Sequence, residues 1–495
     1  MTTTIDPRDR RRAPKGVVRR LLGATPRRLI LLSAAIGVLG LLAGLIYALA
    51  LGSDSSSFTD LKARTTEVSA ATDLYYELND MDAQAANALL VGFHPSDPSM
   101  VPATVDAAAS VSVYESDRAA ADSDLAQLAA NPRLVGRAQK LLDDLGTYEA
   151  LIAQALYADQ NTYNELPAAP PAAALASYSR ASALLHATLL PISLQAAEAD
   201  SAAVDGSYSH EHSDAVADGY AILALTLLTG LALYLGNRFH ARRFRRRVSW
   251  FVPGIVVCVA LGAVGLSTQL AEADNLHYAK QEAYGSIDAL TFAKAVSDDA
   301  NADESRWLLE DRTSTLQTSF FEKISSIAGV PHVSGTEAGN EPHAYYSALS
   351  SAVSAMHLDA PTDSVSGVTI SGYLGTELNN ITFPGEAQAA YETTQAFNAY
   401  VQDDATIRSQ AADGNLAGAV AFDIGTQPGQ SNYAYNQFTA KLDAVIHIND
   451  NAFASGVASG LGEVGPGSWV TLAAGEALLL LCVTQAAYRR LREYH

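Results

Sequence analysis

Two short polar insertions carry the residues best suited to chemistry: "NDMDAQAANALL" (Asn79 to Leu90) and "DANADESRWLL" (Asp299 to Leu309). Each sets carboxylates and an amide into an Ala-rich helical pattern where a helical bundle would hold apolar side chains. Asp80, Asp82 and Asn87 stand in the first, and Asn301, Asp303, Glu304 and Arg306 in the second. A carboxylate on a packed seam is costly unless it finds a partner. Three readings follow: polar groups that fix helix register, a small polar ligand site or docking surface near the upper part of each bundle, and an amphipathic face turned to solvent. Asp303 and Arg306, one helical turn apart, fit an ordinary exposed ion pair. Catalysis has no support. The chain has no nucleophile elbow, no phosphate-cradling loop ahead of a helix and no metal-protease motif, and no histidine stands near either insertion. His210-Glu211-His212 is the nearest approach to a metal set but lacks ligand spacing, and it reads as an exposed juxtamembrane segment. The expectation is a protein that is not an enzyme and needs no cofactor.

The elements that must hold these residues are helices, four of them in a membrane. The 495 residues are 48% hydrophobic. Leu29–Leu51 carries no charge over 23 residues, enough to cross the roughly 30 Å hydrocarbon core. Residues 220–236, 250–267 and 469–485 are shorter apolar runs of 17 or 18 residues, near the lower limit for a span. A cleaved signal peptide is the alternative for the first run, since arginines precede it and Ala48-Leu49-Ala50 resembles a cleavage site; the length of the apolar core favours retention. Glu476 falls seven residues into the last run, where an ionisable group should face other helices, a water-filled cavity or a partner. It reads as a neutral packing residue or as an intramembrane coupling residue. Gly37, Gly40 and Gly44 in the first span allow close helix approach.

Charge gives an orientation. Residues 1–28 hold nine Lys/Arg, the loop 237–249 holds six and the tail 486–495 holds three, and the positive-inside rule places all three in the cytoplasm. Residues 52–219 and 268–468 then lie outside, with 14 Lys/Arg against nearly all of the 53 Asp/Glu. The net charge of −21 therefore belongs to exported domains and excludes nucleic acid as a partner. The basic edges suit anionic lipid. Both cysteines, Cys258 and Cys482, fall inside spans, so packing and not a disulfide must stabilise the outer segments.

In the first outer segment, turn signals at His94-Pro95 to Pro98, Asn131-Pro132 and Pro167 to Pro171 divide four helices. Leu61, Val68, Tyr75, Asp82 and Leu89 recur every seven residues, the period of a seam facing other helices. Past Pro191 the last helix and the second span read as one kinked rod. The second outer segment begins alike, with Ile287, Lys294, Asn301 and Leu308 on one stripe. Asp82 lies 31 residues beyond Leu51 and Asn301 lies 34 beyond Ser267, which supports an internal duplication. Residues 329–384 read as a long loop with a short helix near Gly372–Thr382. Helices resume at 385–411 and 433–458, and "GLGEVGPG" (Gly460–Gly467) hinges the last rod before its span. The expected fold is an all-α membrane protein: four transmembrane helices with two tandem extracytoplasmic four-helix-bundle-like domains. The cytoplasmic parts are too short for an output domain, so any signal must leave through a partner.

The order of span, helix bearing "LNDMDAQAANALLVG", bundle and span resembles the four-helix-bundle sensor domains of bacterial chemoreceptors. The doubled form, with "DANADESRWLL", "ITFPGEAQAA" and "GTQPGQSNYAYNQFTAKLDAVIHIN", resembles the actinobacterial membrane proteins of the GlnX type. That resemblance implies a relay that takes an amino-acid signal from an extracytoplasmic substrate-binding lipoprotein and hands it to a cytoplasmic Ser/Thr kinase. It carries no ligand residues across. A homo-oligomer is left open, and an envelope scaffold or a transport accessory protein is the alternative to sensing.

Overall fold

The computed structural model describes residues 24–94, 106–130, 135–162, 169–244 and 249–492. The turn signals at 95–98, 131–132 and 167, most of the basic segment 1–28, and Arg245, Arg246 and Arg247 lie outside the described residues. The chain divides into two compact units: Met1–Thr59, Tyr208–His277 and Val457–His495 form an apolar one, and Asp60–Ser207 with Tyr278–Gly456 a polar one.

Helices dominate both. The first segment forms α1 (Ala24–Val91), α2 (Ala107–Ala130), α3 (Val135–Gln160), α4 (Ala172–Leu184) and α5 (Leu190–Phe244). A π-helical turn, Leu185–Leu189, joins α4 to α5. Its cause is local: Pro191 has no N–H to give the carbonyl four residues back, and the wider turn absorbs the lost bond. The expected kink is therefore a π-turn inside an unbroken rod. A second π-turn, Tyr278–Tyr284, separates α6 (Phe251–His277) from α7 (Gly285–Leu309).

In the apolar unit, helices bearing residues 29–51, 220–236, 250–267 and 469–485 are long and apolar enough to cross a membrane, as a multi-pass membrane protein requires. Leu31, Leu41, Leu45, Leu49, Leu231 and Val256 remain exposed, a surface suited to acyl chains and not to water. Small residues set the inward contacts. A Cβ built at Gly265 would meet Ile222 at 2.7 Å, and one at Gly475 would meet Leu261 at 2.3 Å. Gly40 and Gly44 do the same for the last span: a Cβ at Gly44 would lie 2.8 Å from the Glu476 carboxyl carbon. Without a hydrophobic drive between helices in lipid, such close approach holds the bundle. Gly44→Leu should therefore cost about 1–3 kcal/mol, read as a lower Tm of the detergent-solubilised protein. Gly52→Leu, where a Cβ meets nothing within 4 Å, should leave Tm unchanged.

The polar unit has two cores. One joins Leu74, Leu78 and Leu89 of α1 to Tyr148 of α3, Tyr178 of α4 and Leu308 of α7, so both segments build it. The two outer segments thus belong to one compact unit, where the sequence suggested two domains in tandem. The other core lies within the second segment around Phe320, Phe321, Tyr345, Leu349, Phe397 and Phe438. The expected loop over 329–384 is largely ordered: α8 (Ser314–Ile327) is followed by α9 (Gly335–Asn340), α10 (Pro342–Ala355), the hairpin β1 (His357–Asp359) and β2 (Ser364–Ser366), and α11 (Gly372–Leu378). β1 and β2 are antiparallel, with Leu358 opposite Val365. Ser334 and Glu337 close a capping box on α9, and Pro342 opens α10 at a position that needs no N–H. α12 (Glu386–Ala412), α13 (Leu416–Asp423), α14 (Ser431–Glu463) and α15 (Pro466–Leu491) complete the chain.

Candidate functional site

The two polar insertions meet. The seven-residue stripe of α1 turns Leu61, Val68, Tyr75, Asp82 and Leu89 all inward. On α7, Asp299, Asp303 and Arg306 follow at intervals of four and three, which puts them on one face. Between α7 and α8 the chain reverses through Asp311 (φ 55) and Arg312 (φ 58), left-handed positions that non-glycine residues rarely take. Thr313 then caps α8 by accepting from the Leu316 N–H. This reversal returns Lys323 to the face that holds Asp299 and Asp303.

A buried ionic network results. Arg306 donates from one guanidinium nitrogen to Asp303 at 2.5 Å and Asp299 at 3.1 Å, and from the other to Asp82 at 3.4 Å. Lys323 donates to Asp299 and to Asp303, both at 2.6 Å. Tyr148 and Tyr178 donate to the two oxygens of Asp82 at 3.2 and 3.1 Å, and Tyr75 donates to Asp299 at 2.9 Å. His186 Nδ1 faces the Ser182 carbonyl at 2.8 Å and must donate there, which leaves Nε2 to accept from Arg306. Burial alone would raise the pKa of Asp299, but the Lys323 ammonium and the Arg306 guanidinium outweigh it and hold the carboxyl well below the usual range. The expectation of an exposed Asp303–Arg306 pair is corrected: these side chains are 1% and 2% exposed. Asp303 is buried because α3, α4 and α8 close over the face that a solvent-exposed pair would need.

Glu304 points elsewhere. It accepts from Tyr400 at 2.6 Å, in a second cluster where Tyr346 (2.5 Å) and Arg408 (2.8 Å) both donate to Asp404. The Arg408 guanidinium stacks 4.5 Å over the Trp307 ring. Burial, then repulsion from Asp404 and Asp423, pushes Glu304 well above the carboxylate range. Burial with Asp404 beside it also pushes Asp423 up to about 7. Ser305 bridges this cluster to the first segment, donating to Asn87 at 2.8 Å and Asp423 at 3.2 Å.

Asp80, Asn87 and Asn301 gather in a third place, a cavity of about 290 Å³ lined also by Tyr76, Asp298 and Tyr435. Asp80 accepts from Gln84 at 2.8 Å. Asp117 stands beside it, pushed up to about 8 by burial and by the Asp80 and Glu77 carboxylates. Tyr435 donates to one oxygen of Asp298 at 3.1 Å, but the other oxygen has no partner among the described residues, and neither has the Asn301 carbonyl oxygen. The seven predicted residues thus fall into three neighbourhoods: Asp82, Asp303 and Arg306 in the network, Glu304 in the second cluster, and Asp80, Asn87 and Asn301 at the cavity. The similar offsets of Asp82 and Asn301 do not translate into similar roles.

Glu476 lies in the apolar unit with its carboxyl against Gly40 and Gly44, and its Oε2 has no partner among the described residues. Sequence reasoning missed Asp298, Asp299, Lys323, Asp404 and Asp423. Asp298 and Asp299 had a signal, a doubled Asp where the insertion begins, whereas Lys323, Asp404 and Asp423 sit in ordinary amphipathic helices.

Among the described residues every carboxylate oxygen of the network has a partner, and only Arg306 Nε is left without one; the network's chemistry is that of a tie between α1 and α7. The cavity, with unpaired acceptors, is where a ligand could be held. Neither a curated protein nor a solved structure matches the chain. Residues 57–209, which carry Asp80, Asp82, Asn87, Tyr148 and Tyr178, match the family model of the actinobacterial sensor domain, and with the four apolar helices this match likens the chain to a multi-pass membrane sensor.

Proposed function

We propose that this chain is a non-enzymatic signal transducer that takes up a signal at its polar unit outside the cell and passes it through the spans to a cytoplasmic partner. The observation that carries this reading is the Arg306–Asp82 pair, which ties α1 to α7 by charge. Residues 29–51 of α1 form one apolar stretch, and α7 follows the stretch at 250–267 after a single π-turn. A ligand or docked protein that alters the packing of α1 against α7 would bias both at once. The upstream input fits a substrate-binding lipoprotein carrying an amino-acid signal, and the Arg-rich edges suit a Ser/Thr kinase as the reader.

Deletion of the gene tests this reading directly. The expected result is loss of a nutrient-dependent phosphorylation response with cell shape intact, and the opposite pattern would mean a structural scaffold. Glu476→Gln refines it. This variant keeps the shape against Gly40 and Gly44 and removes the charge, and it should weaken the response without lowering the amount of folded protein. A normal response from Glu476→Gln rules out coupling through that side chain.

A further inference from the structure

The cavity lined by Asp80, Asn87, Asp298 and Asn301 has the makings of a ligand site. At about 290 Å³ it is close to the lower end of small-molecule pockets, and ten times the share of one water in the liquid. Its lining comes from α1, α2, α7, the α13–α14 turn and α14, so an occupant would touch helices of both segments. Two deeply buried acceptors are unmatched there: Oδ2 of Asp298, a residue 1% exposed, and Oδ1 of Asn301, a residue 6% exposed. A buried acceptor without a donor costs about 1–3 kcal/mol, which a bound donor would recover.

Charge and shape narrow the occupant. Two carboxyl groups, those of Asp80 and Asp298, line the cavity, and among its described lining residues there is no Lys, Arg or His. Lys294, whose ammonium lies 5.0 Å from the centre of the Tyr76 ring, pairs with Asp443 at 2.9 Å. Tyr76 and Tyr435 also line the wall. Among the described residues no three His, Cys, Asp or Glu side chains converge to hold a metal ion, and the remaining lining is amide, hydroxyl and aliphatic. A free carboxylate would meet Asp80 and Asp298 with no cation to receive it.

We propose that this cavity binds a small organic ammonium ion that carries no carboxylate, its N–H groups donating to Asp298 Oδ2 and Asn301 Oδ1 and its charge facing Asp80. The ligand class deepens the sensor reading and rests on it only in taking the bound ion as a signal; binding itself is measured on the purified chain with no partner present.

The test is calorimetric titration of 1,4-diaminobutane into the full-length protein in detergent, with glutamate and magnesium chloride as comparison titrants. The expected result is saturable binding of the diamine and of neither comparison titrant. Asp298→Asn, which preserves shape and puts an amide where the unmatched Oδ2 stands, should weaken binding at least tenfold. Asn436→Lys, which places an ammonium of the protein's own at the cavity wall, should abolish binding while leaving Tm the same or higher. Diamine binding undiminished in a folded Asp298→Asn or Asn436→Lys protein overturns the proposal, as does no binding to the wild type or equal binding of glutamate or magnesium. Should binding fail while the deletion strain still loses its phosphorylation response, the ligand class is wrong and the transducer reading stands.

Discussion

Arg306→Met should be the most damaging single substitution in the polar unit, costing about 3–5 kcal/mol, the range for removing one partner of a buried charge pair. Asp82 is fully buried and Arg306 is the cation that the structure places against it. Tyr148, Tyr178 and Ser182 would still donate to Asp82, but neutral donors do not replace a guanidinium in a dry interior. Lys323 still faces Asp299 and Asp303, so those carboxylates keep one cation between them. Arg306→Lys should recover only part of the loss, because one ammonium cannot reach both Asp82 and Asp303 as the two guanidinium nitrogens do. Pairing Asp82→Asn with Arg306→Met should recover more than half, since the orphaned charge is gone. Thermal unfolding of the three proteins in the same detergent measures the set, and a loss under about 1 kcal/mol for Arg306→Met would falsify the role given to the network.

Stability should also fall as pH rises from about 5 to 8, the reverse of what a protein stabilised by ion pairs alone would do. Asp117 is pushed up to about 8 and Asp423 to about 7 by burial first and neighbouring carboxylates second. Burial, followed by repulsion from Asp80, also puts Asp298 well above the carboxylate range. A group whose folded pKa is raised binds its proton in the folded chain when the unfolded chain has released it. Its contribution is complete below the unfolded value near 4 and is lost as pH climbs through the folded value. Each such proton contributes a slope of about 1.4 kcal/mol per pH unit within its window. Asp299 acts in the opposite sense: its pKa is depressed, so its contribution is present at neutral pH and disappears as pH drops below about 4. Together they predict an optimum near pH 4. Asp117→Asn with Asp423→Asn should flatten the alkaline side, and Tm recorded from pH 4 to 8 reads the slope; a level profile in the wild type refutes the assignment.

Much of the architecture was legible in the chain because it is periodic. The heptad of Leu61, Val68, Tyr75, Asp82 and Leu89 marked the buried face of α1, and the uncharged run at 29–51 marked a membrane-length helix. The polar insertions were visible for the same reason, as breaks in that period. Their relation was not. Arg306 stands 224 residues from Asp82, and nothing local in either stretch records that one neutralises the other. Nothing in the sequence singles out Tyr148 and Tyr178, whose hydroxyls acquire a purpose only beside a carboxylate. Between 329 and 384 the short helix at Gly372–Leu378 was legible, and the other ordered elements escaped because Ser, Thr and Gly dilute the apolar pattern. In α10 five buried residues, Tyr345, Tyr346, Leu349, Ala352 and Val353, do keep helical spacing.

The π-turns at Leu185–Leu189 and Tyr278–Tyr284 bear on how such a chain can be read and altered. A π-turn takes in one residue more than an α-turn, so everything beyond it is rotated by about 100° relative to an unbroken α-helix. A helical wheel drawn straight through Leu185–Leu189 consequently misplaces the first turns of α5 relative to α4. The extra residue is also slack: moving it along the rod turns one end against the other while neither end has to unwind.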